Sequence, residues 1–105
     1  MIARTWGGVA AAAKADAYYR HFTSRVVPHL KDIPGHQAAH LLRREAGGQV
    51  EFLAITLWDS IETIKTFSGP DPEVAIVEPE GRAALMAFDD FARHYEVVYS
   101  TDRAA

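Results

Sequence analysis

The chain has 105 residues, of which 49% are hydrophobic and 24% are charged, and its net charge is −3. This size and composition predict one domain, residues 1–105, with enough apolar residues for a single core. The chain has no cysteine, which excludes a disulfide framework, a thiolate zinc site and a cysteine nucleophile.

The distribution of charge and apolar residues also limits the partners. Eleven basic residues are scattered along the chain, and only Arg43 and Arg44 are adjacent. No basic stripe alternates with aromatic residues, so a nucleic-acid partner is not expected. No run approaches the roughly 18–20 apolar residues that a membrane span needs, and the first residues lack the pattern of a signal peptide. We therefore expect a cytoplasmic protein without a membrane partner.

The first third of the chain predicts a strand and a helix. Residues 1–6 are compatible with a short strand, and Gly7-Gly8 should loosen the backbone after it. Pro28 cannot donate to the carbonyl of Ser24, so the helix that follows should bend or loosen in its last turn. That helix is predicted over residues 14–30 from apolar positions at helical spacing, which are Ala15, Tyr18, Tyr19, Phe22, Val26 and Leu30.

The middle of the chain predicts a hairpin. Residues 33–35, Ile-Pro-Gly, break the chain, and residues 36–45 read as a second strand. Gly47-Gly48 suits the turn into a third strand over residues 51–58. Alternation along this third strand makes both of its faces apolar, which is typical of a strand covered on two sides.

The last third predicts a helix, a proline-rich stretch and a closing strand. Asp59 or Ser60 can cap a helix over residues 60–68, which Gly69-Pro70 ends. A further helical segment is predicted over residues 82–88 and a final strand over residues 91–100.

The resulting order, βαββαβ, predicts an α+β, ferredoxin-like fold. Four antiparallel strands, in the order 4-1-3-2, should carry both helices on one face, because both crossovers are right-handed. The other face is apolar in the third and last strands and needs a cover from outside the monomer. A homodimer with its two sheets facing each other is the simplest solution.

Short motifs also suggest a family. The strand order, Leu-Trp-Asp-Ser at residues 57–60, Ile-Pro-Gly at residues 33–35 and Arg-His-Tyr-Glu-Val at residues 93–97 resemble the antibiotic biosynthesis monooxygenase domain family. That family belongs to the dimeric α/β-barrel superfamily. The resemblance implies a homodimeric barrel with a pocket between helices and sheet in each subunit. Members include cofactor-independent oxygenases, haem-degrading enzymes, a sugar-phosphate isomerase and proteins with no known activity.

Several functional residues of the family are missing here. Haem-degrading members carry a Trp about nine residues after the strand-ending Trp and then a haem-ligating His, but this chain has Phe67 at that place and no His between His40 and His94. The chain also contains no Asn, and Ala54 stands where some polyketide oxygenases have one. We therefore expect no haem and no other cofactor.

Two residues are the candidates for catalysis. His94 lies in a predicted core strand, and an imidazole suits proton transfer near neutral pH; the alternative is a buried, hydrogen-bonded core residue. Trp58 is the other candidate, or else a core aromatic under the second helix. Both are expected to reach one cavity between helices and sheet. The candidates for substrate binding are Arg4, Trp6, Tyr18, Phe22 and Phe67.

The remaining histidines do not indicate a metal site. His36 and His40 lie four apart on a strand, too far along it for one metal, and His21 and His29 should face solvent on the first helix.

These observations favour a cofactor-independent monooxygenase of a small aromatic or quinol-like compound. His94 would be the base and Arg4 would stabilise an enolate. The alternatives are a small-molecule-binding or stress-associated domain without catalysis, and an isomerase on the same fold.

Overall fold

The computed structural model describes residues 1–101 as a sheet with helices against one face. Its strands are β1 (Ile2–Ala11), β2 (His36–Ala46), β3 (Gln49–Trp58), β4 (Ala87–Phe88) and β5 (Arg93–Glu96). Its α-helices are α1 (Ala15–His21), α2 (Val27–Lys31), α3 (Ile61–Ser68) and α4 (Pro79–Ala84), with a 3₁₀ turn at Ala12–Lys14 and a π-helical turn at Phe22–Val26.

The sheet has the order β2-β3-β1-β4, with β5 also paired to β1, and every pair is antiparallel. The predicted α+β, ferredoxin-like class and strand order are confirmed, with β4 and β5 together occupying the place of the fourth strand. Both lie along the same edge of β1, where β4 pairs with Gly8 and Val9 and β5 pairs with residues 2–5.

The predicted final strand over residues 91–100 is wrong in its bounds. Residues 86–89 form a strand edge rather than the end of a helix, because Met86 N–H donates to the Val9 carbonyl at 2.7 Å and Asp89 N–H donates to the Gly7 carbonyl at 2.9 Å. At the other end, Val97 N–H donates to the Met1 carbonyl at 3.0 Å. β1 begins there, so residues 98–100 have no strand to pair with.

The first strand is longer than predicted, because the glycines at its centre stay in the sheet. Gly7 and Gly8 pair with β3 on one side, and segment 85–89 lies against them on the other. A Cβ atom on Gly8 would lie 3.1 Å from Leu85 Cδ1, and one on Gly7 would lie 3.2 Å from Asp89 Oδ2. These glycines therefore allow close packing and do not loosen the strand.

The first helix is interrupted near Pro28, as predicted. α1 widens into the π-helical turn at Phe22–Val26, and α2 then begins with Pro28 in its first turn. Pro28 has no N–H to donate to the preceding turn, so the regular α-helical hydrogen-bond pattern is interrupted just before it.

The two faces of β3 differ in burial. Its helix-facing residues are buried, and Trp58 is 0% exposed among Leu30, Ile33 and Ile64. On the opposite face Leu53 remains 41% exposed in the single chain. The core therefore lies between the sheet and the helices, and the outer face of the sheet is open.

Replacing Trp58 by Ala should lower the free energy of unfolding by about 3–5 kcal/mol, because the large cavity it leaves lies in a closed cluster. Urea unfolding followed by circular dichroism measures this change. Trp58→Phe keeps most of the packing and should cost clearly less. Equal stability of wild type and Trp58→Ala would contradict the core role.

Candidate functional site

A small cavity lies between the helices and the sheet, with a volume of about 70 Å³. Five of the seven predicted site residues line it, namely Arg4, Trp6, Tyr18, Phe22 and Phe67. Its wall is completed by residues of helix, strand and loop, which are His21, Val26, Leu30, Ala54, Thr56, Ala75, Ile76, Val77, Glu78 and Gly81. The cavity is therefore the helix-to-sheet space that the fold was expected to leave.

His94 and Trp58 lie on the same face of the sheet as this cavity but are not among the residues that line it. Each of these two side chains is separated from the cavity by a residue that lines it. His94 contacts Arg4, and Trp58 donates from Nε1 to Thr56 Oγ1 at 2.8 Å and packs on Phe67. The expected shared cavity is thus not formed by these two side chains themselves.

Arg4 is a buried cation at the edge of the cavity. It is 6% exposed, and desolvation lowers its pKa to about 10. Nη1 donates to the Pro72 carbonyl and to His94 Nε2 (3.0 Å), and Nη2 donates to the Val74 carbonyl at 3.0 Å. The guanidinium also lies 5.7 Å from the ring centre of Phe67. Every one of these partners is uncharged or aromatic.

His94 is held as a neutral imidazole. Arginine only donates hydrogen bonds, so Nε2 of His94 must be the acceptor and carries no proton. Burial lowers the pKa of His94, the Arg4 charge lowers it further, and Glu73 partly opposes them. The lone pair that a general base would use is therefore already engaged by Arg4.

Aromatic rings form one side of the cavity. The Tyr18 ring lies 5.0 Å from Phe52, 6.3 Å from Trp6 and 6.5 Å from Phe22 between ring centres. Burial raises the pKa of Tyr18 to about 12, so its hydroxyl keeps its proton. Trp6 is fixed by a 2.7 Å hydrogen bond from Nε1 to the Asp89 carbonyl. This wall suits a flat apolar ligand.

His21 is a site residue that the sequence analysis missed. It was expected to face solvent, but it is 6% exposed and lines the cavity. Its Nδ1 lies 3.6 Å from Glu80 Oε2. The spacing of the sequence indicates its burial, since His21 lies three residues after Tyr18 on the buried side of the helix.

A second, larger groove of about 530 Å³ crosses the outer part of the sheet near the hairpin. It is lined by backbone and side chains of β1, β2, β3 and β4, including Leu42 and Leu53. It contains no histidine, and it lies on the open face of the single chain.

No group of three or more His, Cys, Asp or Glu within residues 1–101 is placed to hold a metal ion. None of the helices in that range is long and apolar enough to cross a membrane.

Comparison with solved structures relates this fold to a group of known proteins. An antibiotic biosynthesis monooxygenase-type protein of Bacillus cereus superposes with a TM-score of 0.68 at 16% identity, over 97% of each chain. The haem degrader MhuD of Mycobacterium tuberculosis gives 0.67 at 18% identity, over 97% of this chain and 100% of that one. SnoaB of Streptomyces nogalater, a cofactor-independent oxygenase, gives 0.56 at 15% identity, over 95% and 93%.

This chain has the antibiotic biosynthesis monooxygenase fold. The resemblance found in its sequence motifs is thereby confirmed at the level of the fold. No family model matches the sequence, and no curated protein matches it.

Among proteins with this fold, the haem degrader raises the question of a haem site. The residues present here do not fit one. α3 carries no histidine, and Phe67, nine residues after Trp58, packs on that Trp at 6.2 Å between ring centres. The cavity of about 70 Å³ is also far below the roughly 300–1,000 Å³ of ordinary cofactor sites.

The stability of this fold should fall as the pH drops below about 6.5. The pKa values of His94 and His36 are both lowered by burial, so the unfolded chain binds protons first, and this binding lowers its free energy relative to the folded chain. Urea unfolding at several pH values measures the slope.

The variant His94→Gln should show a weaker loss of stability between neutral and mildly acidic pH than wild type. His29→Gln, an exposed histidine of α2, should keep the wild-type slope. An unchanged slope in His94→Gln would contradict a lowered pKa for His94.

Proposed function

We propose that this protein is a cofactor-independent oxygenase of a small aromatic compound that reacts as a phenolate or enolate. The observation that carries the proposal is Arg4, a buried guanidinium beside an aromatic cavity. Within residues 1–101 no carboxylate lies within 4.0 Å of it.

A buried charge is normally paired, because leaving water costs several kcal/mol. The carbonyls of Pro72 and Val74 and the His94 ring solvate Arg4 but do not neutralise it. Of its five N–H groups, three are used by these partners, so Nε–H and one N–H of Nη2 remain. An anionic ligand oxygen would supply the missing charge.

The proposed reaction needs only the reactivity of the substrate. Loss of a proton gives an electron-rich anion, which passes electrons to O₂. For an anthrone-like methylene, CH₂ and O₂ become C=O and H₂O, so one oxygen atom enters the product and the other leaves as water. The protein supplies orientation, a dry wall of aromatic rings and a fixed cation where negative charge develops.

In this scheme we assign His94 and Trp58 to positioning. His94 holds Arg4 by accepting from Nη1, and Trp58 supports Phe67 and Thr56 from behind. Both residues then influence the site through side chains that line it, without touching the substrate.

The cavity must widen to admit an aromatic ring. Its volume of about 70 Å³ is about half that of a cavity known to accept benzene, about 150 Å³. Segment 71–78 forms one wall and has no helix or extended strand. Its contacts include Ala75 N–H to the Asp90 carbonyl at 3.1 Å and the two carbonyls bound by Arg4. An anion that binds Arg4 would therefore bind the same residue whose hydrogen bonds fix segment 71–78.

SnoaB, described as a cofactor-independent oxygenase, has the same fold and supports the choice of an oxygenase among the activities of proteins with this fold.

A second candidate function is ligand binding without catalysis. The small cavity favours it, since a site filled largely by its own side chains leaves little room for a reaction.

Oxygen consumption with anthrone and with substituted hydroquinones tests the oxygenase proposal. Wild type should accelerate O₂ uptake over buffer, and Arg4→Met should lower kcat/KM by about 100-fold or more, as loss of an oxyanion donor does. Arg20→Met, an exposed arginine of α1, is the matched control and should keep wild-type turnover.

Binding of these compounds by wild type without O₂ uptake would favour the non-catalytic alternative. Full activity in Arg4→Met would contradict the proposed role of the guanidinium.

We also propose a homodimer with the outer sheet faces in contact. Leu42 and Tyr95 are 49% and 54% exposed on that face, together with Leu53. Four strands, of which the longest have about ten residues, cover about 20 Å by about 30 Å. A footprint of about 600 Å² approaches the roughly 800 Å² per partner of a stable interface.

The variant Leu53→Glu should therefore sediment as a monomer at micromolar concentration, while wild type sediments as a dimer, because the new carboxylate would be buried against an apolar surface. Tyr19→Glu changes an aromatic residue on the helix side that is 52% exposed and should leave the dimer intact. A monomeric wild type would overturn the proposal.

A further inference from the structure

We propose that His21 is the proton acceptor of the cavity and that Glu80 positions its ring. This inference rests on the proposed function, because it names the base that forms the substrate anion. It is carried by the placement of a buried imidazole, a carboxylate and a glycine around one wall of the cavity.

Nδ1 of His21 is buried and has no hydrogen-bond partner within residues 1–101, and the residue is 6% exposed. Buried polar atoms are almost always paired, so an unpaired Nδ1 in the wall of a cavity calls for a function. Glu80 Oε2 lies 3.6 Å from this nitrogen. A shift of about half an ångström would bring the two atoms into hydrogen-bond range.

The carboxylate decides which nitrogen can act as a base. With the proton on Nδ1 directed at Glu80, the lone pair is on Nε2. The other charged neighbour of Glu80 is Arg25, whose Nη2 lies 3.8 Å from Oε1. Both of these surface groups are more than half exposed, so the carboxylate can follow the ring.

Gly81 allows α4 to pack closely beside the Nε2 side of the His21 ring. A Cβ atom there would lie 3.2 Å from Nε2 and 3.3 Å from Cδ2 of His21, closer than an unstrained contact. A glycine inside a helix is destabilising relative to alanine. The residue after Glu80 thus lacks a side chain at the point where one would press on the basic nitrogen.

The backbone around His21 is also unusual. His21 is the last residue of α1, and the π-helical turn begins at the next residue, Phe22. π-Helical turns are rare and occur often at functional sites. Here the turn follows directly after a titratable side chain in the cavity wall.

The other titratable groups of the wall are less suited to this role. Tyr18 keeps its proton because burial raises its pKa to about 12, and Arg4 is a cation. Glu78 also lines the cavity, but a carboxylate is a weaker base than imidazole. His94 does not line the cavity and uses its Nε2 lone pair on Arg4.

The proposed step is a single proton transfer. The O–H bond of a bound phenol breaks, its proton bonds to Nε2 of His21, and the electron pair stays on the oxygen as a phenolate facing Arg4. The imidazolium that forms directs its Nδ1–H at Glu80. No proton leaves the site, and no electron moves in this step.

Binding of 4-nitrophenol tests this step apart from any reaction with O₂, because its phenol and phenolate forms absorb at different wavelengths. Under weakly buffered, mildly acidic conditions, wild type should bind the probe as phenolate without releasing a proton to a pH indicator. His21→Gln should lower the bound phenolate-to-phenol ratio at least tenfold. Glu80→Gln should lower it by a smaller factor.

Two controls separate this effect from damage to the fold. The ether 4-nitroanisole cannot ionise, and His21→Gln, Glu80→Gln and wild type should bind it with the same Kd. His29→Gln, the exposed histidine of α2, should ionise 4-nitrophenol as wild type does.

The inference is overturned if 4-nitrophenol does not bind up to millimolar concentration, if it binds as the neutral phenol, or if His21→Gln ionises it as wild type does. Release of one proton per bound phenolate by wild type would also overturn it, because the proton would then not reside on His21. A wild type that ionises the probe but consumes no O₂ with anthrone would instead reject the oxygenase proposal and support the role of His21.

Discussion

A desolvated cation on the inner face of the sheet is the constraint on which this site depends. Arg4 lies near the start of β1, where β3 and β5 flank it on both sides. Its side chain is largely buried, and three neutral acceptors surround it. Two of these acceptors are carbonyls of segment 71–78. The charge thus organises the loop, the His94 tautomer and one end of the cavity together.

The close packing of α4 against α1 shapes another part of the cavity wall. There Glu80 lies beside the buried His21, and Gly81 has no side chain between the two helices. Tyr18 and Trp6 add an apolar wall of aromatic rings. In the proposed function, the cation, the aromatic wall and the imidazole suit a substrate that loses a proton to His21 and carries negative charge that Arg4 stabilises. The fold itself permits several activities, so the proposed function depends on these side chains and not on the fold.

Local patterns predicted those elements whose residues decide their own conformation. The alternation in β3 and the 3.6-residue spacing from Ala15 to Leu30 reflect burial on one face, which is readable along the chain. The bounds of the last strand could not be predicted from its own residues, because they depend on how far the edge of β1 extends and on its start next to Met1. Gly7 and Gly8 were misjudged for the same reason, since only neighbouring segments explain their place in the sheet.

The fold class, the open apolar face of the sheet and five of the residues that line the cavity could be predicted from the chain, because they follow from periodicity and residue type. Which histidine reaches that cavity depends on the tertiary packing. His94 does not line the cavity, because Arg4 lies between His94 and the cavity. His21 lines the cavity at the place where Gly81 lets α4 pack closely against α1. Both outcomes depend on contacts between residues far apart in the sequence, 90 positions for Arg4 and His94 and 60 positions for His21 and Gly81, which no local pattern encodes.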